Sequence, residues 1–340
     1  MNATIEALVD VVTTLTTIDA GTTRATLTSD HDPGVHTAAG SILANLVRQA
    51  PATHDDRVRL LAALSGADHY AIGSTLHAAA EILRRYPPRF PATIEAVELP
   101  ALDPILTETF AVVQALDGVA QPWTVVGGLM VLLQAVEHGV PFRRVTADAD
   151  LAVGVFTHRS ALRELSRGLR DLGFADITPD AMSGDQLSYR WSRGAVLIDL
   201  VVPAKVNTQR TVPTTMSRHP AVELPGIQQA LARTERVTVV LDDGRAGPVR
   251  RPDLLGALTI KAIAARADRR DPARHLGDMI VLLDALVASG QVMTYAPQVR
   301  PEDRARLAGA STSLTESDWR SSMDEPAARD ALDLLISPDA

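Results

Sequence analysis

Cysteine is absent from the 340 residues, which excludes disulfides and thiolate metal sites and fits a reducing, cytoplasmic setting. Long apolar runs are missing too. No stretch reaches the roughly 18 apolar residues that a membrane span needs, so no membrane partner is expected. The start, MNATIEALVDVV, has no basic leader and no long apolar core, and no secretion signal is expected. Lysine is nearly missing: Lys205 and Lys261 are the two lysines, and the other 31 of the 33 bases are arginines. Against 41 acids this gives a formal charge of −8, so any nucleic-acid contact would need a local basic patch. What is plentiful is apolar sequence, 46% of the chain, enough for a sizeable core and two or three domains.

The most informative stretch is WTVVGGLMVLLQAVEHGVPFRRVTADADLAV, Trp123 to Val153. The run Trp123-Thr124-Val125-Val126 predicts a strand ending at Gly127-Gly128, followed by about three turns of helix and a second strand carrying Thr146-Ala147-Asp148-Ala149-Asp150. Side chains alternate across a strand, so Asp148 and Asp150 share one face about 7 Å apart, opposite Val145, Ala147, Ala149 and Leu151. Two acids on one face of an apolar strand repel each other, and a divalent cation such as Mg2+, which takes oxygen ligands, removes that penalty. The paired glycines let a helix start tightly and bring backbone N–H groups close to phosphate. Taken singly, Gly-Gly also describes an ordinary turn and Asp-x-Asp a solvated strand; the compound pattern is what points to a site.

A third acid, Asp199, interrupts the apolar run Ala195 to Val202 in a predicted hairpin, whose other arm is Leu187-Ser188-Tyr189-Arg190-Trp191 and whose separator is Ser192-Arg193-Gly194. On an inner strand that carboxylate needs a cation or a donor; on an edge strand it would face solvent. Lys261 lies in a predicted helix from Asp253 to Arg266, between an apolar turn and alanines, which suggests a partly buried ammonium in need of an anion such as a triphosphate.

These residues together resemble the nucleotidyltransferase superfamily with the DNA polymerase β-type palm: Gly-Gly at a helix start, then Asp-x-Asp, then a third carboxylate on a neighbouring strand. More narrowly, the chain is similar from about Leu99 to Leu286 to the AbiEii/MenT branch, nucleotidyltransferase toxins of bacterial toxin–antitoxin systems. The resemblance implies an α+β fold with a mixed-sheet nucleotidyltransferase core, an N-terminal helical bundle and a C-terminal helical region. It implies Mg2+ or Mn2+ held by Asp148, Asp150 and Asp199, with Asp199 helping to deprotonate the attacking hydroxyl. It implies an NTP substrate met by Gly127, Gly128, Thr146, Lys261 and Asp278, with tRNA as acceptor and a cognate antitoxin protein as partner. In that branch a Lys-x-x-Ala-x-x-x-Arg helix supplies a phosphate-contacting lysine. Lys261 and Ala264 fit, while Asp268 stands at the arginine position and Arg266 is the nearest arginine. A following Lys-Asp-x-x-Asp segment is matched by Asp278 but reads Arg274-His275 in its first half; Asp278 is then an orienting partner for Lys261 or substrate, and His275 has no assignment.

The remaining sequence frames this core. Residues 1–98 show helical spacing (Ile5, Leu8, Val9, Val12; Ile72, Leu76, Ala79, Ile82) and five of the nine histidines, with no recognisable chemistry, and Pro87-Pro88-Arg89-Phe90-Pro91 leads out of them. Asp103 to Leu116 and Arg159 to Leu172 predict helices, the second stopped by Gly173. Val237 to Val249 predicts a hairpin near the end of the sheet, and the tail from Gly290 is polar with little signal. The expected boundaries are 1–98, 99–250 and 251–340. Two alternatives stay open: transfer to a small molecule such as an antibiotic, and a catalytically silent nucleotide-binding protein. A Rossmann dehydrogenase is disfavoured because Val125-Val126-Gly127-Gly128-Leu129 lacks the third spaced glycine, and a P-loop kinase because Gly-Lys-Ser/Thr is absent.

Overall fold

A computed structural model describes residues 96–119, 122–142, 148–177, 187–206 and 212–337. The expected N-terminal helices, the histidines among them, and Thr146 with its neighbours Val145 and Ala147 lie outside the described residues. The chain divides into two compact units, Met1–Glu95 with Glu235–Val237, and Ala96–Thr234 with Thr238–Ala340. The site residues below all belong to the second.

The fold is α+β with mixed sheets. Its elements run β1 (Val97–Glu98), α1 (Pro104–Ala115), β2 (Trp123–Val126), α2 (Gly127–Glu137), β3 (Ala149–Val153), α3 (Ala161–Asp171), β4 (Ala175–Asp176), β5 (Arg190–Arg193) and β6 (Val196–Pro203). They continue with β7 (Val222–Leu224), α4 (Ile227–Ala232), β8 (Thr234–Val240), β9 (Ala246–Pro252), α5 (Leu254–Ala267) and α6 (Pro272–Ala288). Four shorter helices follow: α7 (Val292–Tyr295), α8 (Pro301–Ser311), α9 (Glu316–Trp319) and α10 (Glu325–Ile336).

A six-stranded sheet has the order β2-β3-β6-β5-β4, with β7 added to β6. β2 is antiparallel to β3, β3 parallel to β6, and β5 antiparallel to β6. β6 is interior, which is why Val196, Ile198, Leu200, Val201 and Val202 are all buried. Helix ends follow local chemistry. Asp253 accepts a hydrogen bond from the Gly256 N–H at the start of α5, Asp271 accepts from Arg274 with Pro272 in the first turn of α6, and Gly173 at φ 85° follows α3.

Two expectations need correction. The hairpin at Val237 to Val249 does not extend the larger sheet: β8 and β9 form a separate three-stranded sheet with β1, while β4 closes the far end of the larger one through its pairing with β5. Both β1 and β4 are two-residue strands, too short to leave a periodic signal. The polar tail is helical: apolar residues Leu307, Ala310, Trp319, Ala328, Ala331, Leu332 and Leu335 are buried beneath it. Its start signals are caps, Thr315 with Asp318 forming a capping box and Asp324 accepting from Ala327. Among the described residues no single helix is long and apolar enough to cross a membrane.

Candidate functional site

The site begins with one rung across the sheet. Val126 pairs with Asp150, Asp150 with Asp199, and Asp199 with Arg190, so four strands place these residues side by side. Gly127 follows Val126 at φ 69°, a conformation that side chains resist, and a Cβ there would overlap the Asp150 carboxylate. Glycine is therefore required at 127 both by the backbone and by the acid. Gly128 is buried in the first turn of α2 and is not part of the cavity lining.

The three acids differ in environment. Asp199 is 7% exposed, and Arg190 grips it as a fork: Nε donates to Oδ1 at 2.8 Å and a terminal nitrogen donates to Oδ2 at 2.6 Å. The same nitrogen reaches Asp148 Oδ2 at 3.4 Å. These hydrogen bonds hold the guanidinium firmly charged, against partial desolvation. Asp150 has gone the other way. Burial, reinforced by the charges of Asp148 and Asp199, pushes its carboxyl up to about 6, with Lys261 and Arg274 pulling back.

This contrast tests the implied divalent cation. The donors are all carboxylate oxygens, the set that Mg2+ and Mn2+ prefer, and Asp150 is short of positive charge. Asp148 and Asp150 are of the donor type such an ion takes, with Asp148 Oδ2 also 3.4 Å from Arg190. The oxygens of Asp199 are directed to Arg190, and among the described residues no three His, Cys, Asp or Glu side chains are drawn together around one point.

Asp150 and Gly127 open into a cavity of about 610 Å³. One part of its wall is apolar, from Leu224, Pro225 and Ile227 at the β7–α4 turn and Ile260 and Ala264 on α5. The other part is polar: Lys261, then Asp268, Arg269 and Arg270 after α5, then Arg274 and His275 at the start of α6. Lys261 Nζ lies 2.6 Å from Asp278 Oδ2, with the two side chains 4% and 3% exposed. The anion that the sequence demanded for this lysine is thus supplied from α6, and Asp278 is its orienting partner.

At the cavity's edge Asp268 accepts from the backbone N–H groups of Arg270 and Asp271 and from the Arg274 guanidinium at 2.8 Å, and His275 Nε2 lies 3.2 Å away. The backbone N–H of Arg270 is the largest influence holding the Asp268 carboxyl down, to about 2. Burial and the nearby Lys261 push the His275 imidazole below its ordinary value, and its Nδ1 is buried with no hydrogen-bond partner.

Sequence reasoning missed Arg190, the arginine group and the apolar wall. Arg190 was within reach: placing the hairpin turn on Gly194 and Ala195, so that Arg193 faces Val196, sets Arg190 opposite Asp199. The wall from Leu224 to Ile227 carries no motif. Scans against family models, curated proteins and solved structures return no match for this chain.

Proposed function

We propose that this chain is a metal-dependent nucleotidyltransferase of the polymerase β-like type, moving NMP from an NTP to an acceptor hydroxyl, and that it acts on tRNA as an AbiEii/MenT-like toxin with a cognate antitoxin. The observation that carries the reading is the rung Val126–Asp150–Asp199, of which Val126 and Asp150, with Gly127 against Asp150, open beside a buried lysine into one cavity. In this reading the sheet is the nucleotidyltransferase core and α5 to α10 are the C-terminal helical region.

The acceptor oxygen attacks the α-phosphorus, the bond to the bridging oxygen breaks, pyrophosphate leaves, and the hydroxyl proton passes to the carboxylate cluster. Asp148 and Asp150 would hold the divalent ion, whose chemistry is to neutralise charge on the phosphates. Gly127 lets the nucleotide approach the start of α2 closely. Lys261, aimed by Asp278, with Arg269, Arg270 and Arg274, attracts the triphosphate and its leaving part. The apolar wall takes the nucleoside. Asp199 serves as proton acceptor when Arg190 loosens its fork.

The arginines also weigh between acceptors. Polycationic antibiotics such as aminoglycosides would be repelled by Arg269, Arg270 and Arg274, whereas RNA phosphates would be drawn to them, giving the acidic chain the local basic patch that RNA contact needs. The test is transfer of label from each of four α-labelled NTPs to total tRNA in Mg2+. Wild type should label RNA and release pyrophosphate, and Asp150→Ala should lose about a thousandfold or more of that activity while staying folded. Labelling of aminoglycosides but not RNA would move the acceptor; NTP binding with no transfer to either would leave a silent nucleotide-binding protein.

A further inference from the structure

We propose that Arg190 is a gate on the acid cluster: its guanidinium is a built-in counter-ion of Asp199, shared with Asp148, that a divalent cation has to displace before it can use these two carboxylates. The proposal rests on the divalent-ion reading above. It starts from where Arg190 is anchored. β5 runs antiparallel to β6 with Arg190 directly opposite Asp199, so the sheet fixes the arginine backbone while its side chain spans the rung. Nε and a terminal nitrogen present the planar edge that matches a carboxylate, and they take both Asp199 oxygens at 2.8 and 2.6 Å. The same terminal nitrogen stands 3.4 Å from Asp148 Oδ2, so one donor lies between the two acids.

The guanidinium and a divalent ion exclude one another at these oxygens. Mg2+ takes carboxylate oxygens at about 2.0–2.1 Å, so an ion shared by Asp148 and Asp199 would meet the nitrogen already between them, and the two positive charges repel at that range. The arginine is the partner that can leave. The Asp199 side chain is 9% exposed and sits on an interior strand, whereas the Arg190 side chain is 34% exposed and its guanidinium lies 5.8 Å from the Tyr189 ring centroid, with solvent and an aromatic face beside it. Asp150, on the same rung, opens into the cavity instead. The gate therefore divides the three acids: Asp150 meets an arriving ion with the fork closed, and Asp199 becomes a ligand once the fork opens.

The experiment is equilibrium binding of Mn2+ without nucleotide, read from the electron paramagnetic resonance signal of the free ion, to full-length wild type, Arg190→Gln, Asp199→Asn and the double variant, each with and without Asp150→Ala. The site is the component of binding that Asp150→Ala removes. Arg190→Gln should tighten that component about tenfold or more, the fold-change of no longer having to break a charge-assisted fork. Asp199→Asn should change it less than about threefold in wild type, where Arg190 already holds that carboxylate, and should remove most of the gain in the Arg190→Gln background. Binding to Arg190→Gln no tighter than to wild type overturns the gate alone. So does a gain that Asp199→Asn leaves intact, as plain removal of a positive charge would give. If neither wild type nor Arg190→Gln shows a component that Asp150→Ala removes, the divalent-ion reading falls and the gate with it. Should Arg190→Gln fail to fold, Arg190→Lys carries the same cycle: it keeps the charge, cannot form the fork, and should show a smaller gain with the same dependence on Asp199.

Discussion

The two walls of the cavity handle charge in opposite ways. On the helical wall each acid is matched: Asp278, buried behind the lining, has Lys261, and half-buried Asp268 has Arg274, His275 and two backbone N–H groups. On the strand wall only Asp150 of the acids lines the cavity; behind it one guanidinium grips Asp199 and reaches Asp148, and Asp150 is left with a carboxyl raised to about 6. The acids of the helical wall are therefore neutralised by the chain itself and Arg269 and Arg270 leave that wall positive, while the strand wall, on the proposed reading, is completed by something that arrives with positive charge. This division suits a site in which one side holds polyphosphate and the other gathers a cation.

That difference can be broken in five places. The largest effect is expected from Lys261→Met, which strands Asp278 in the core and should cost about 3–5 kcal/mol in chemical denaturation. The double variant Lys261→Met with Asp278→Leu should recover most of it; a single variant that melts like wild type would mean that the pair is not buried in solution. Arg190→Met comes next, at about 2–3 kcal/mol, less because the arginine is 34% exposed. Here added Mg2+ should return part of the lost melting temperature, and no such rescue should occur for Lys261→Met.

Gly127→Ala should cost about 2 kcal/mol from its positive φ and the overlap with Asp150, and Gly127→Ala with Asp150→Gly should cost less than the single change. The smallest effects are those of pH, and the walls should slope oppositely. Asp150 binds its proton more tightly folded than unfolded, so its contribution is complete below about pH 4 and lost as pH rises through about 6. In metal-free buffer at pH 7.5, Asp150→Asn should therefore be more stable than wild type by about 1–2 kcal/mol, a gain discounted for the residue's partial exposure and vanishing towards pH 4. His275 has a lowered pKa in the fold, so it removes stability as pH falls below 6.5, and His275→Asn should flatten that limb of a melting-temperature profile.

Much of the strand wall was legible in the sequence because it sets charge against apolar context. Asp199 stands out within Ala195 to Val202, and the structure puts it on an interior strand beside Asp150, as the inner-strand reading requires. The strand Trp123–Val126 and the helix after it were legible for the same reason, a glycine break between apolar segments. Arg190 escapes such a reading because its meaning depends on register, and register depends on which two residues make the turn. The helical wall was legible only at Lys261 and Asp278. Its arginines are ordinary by composition in a chain that uses arginine almost throughout, and His275 acquires significance only when Asp268 is seen beside it.

The scarcity of lysine has a practical consequence. With Lys205 and Lys261 as the two ε-amines in the chain, and Lys205 on the surface, an aldehyde-bearing nucleotide made by periodate cleavage of the ribose has a single side-chain amine to capture inside the cavity. Borohydride trapping and peptide mass mapping would then report occupancy at one residue, with ordinary nucleotide competing the adduct away.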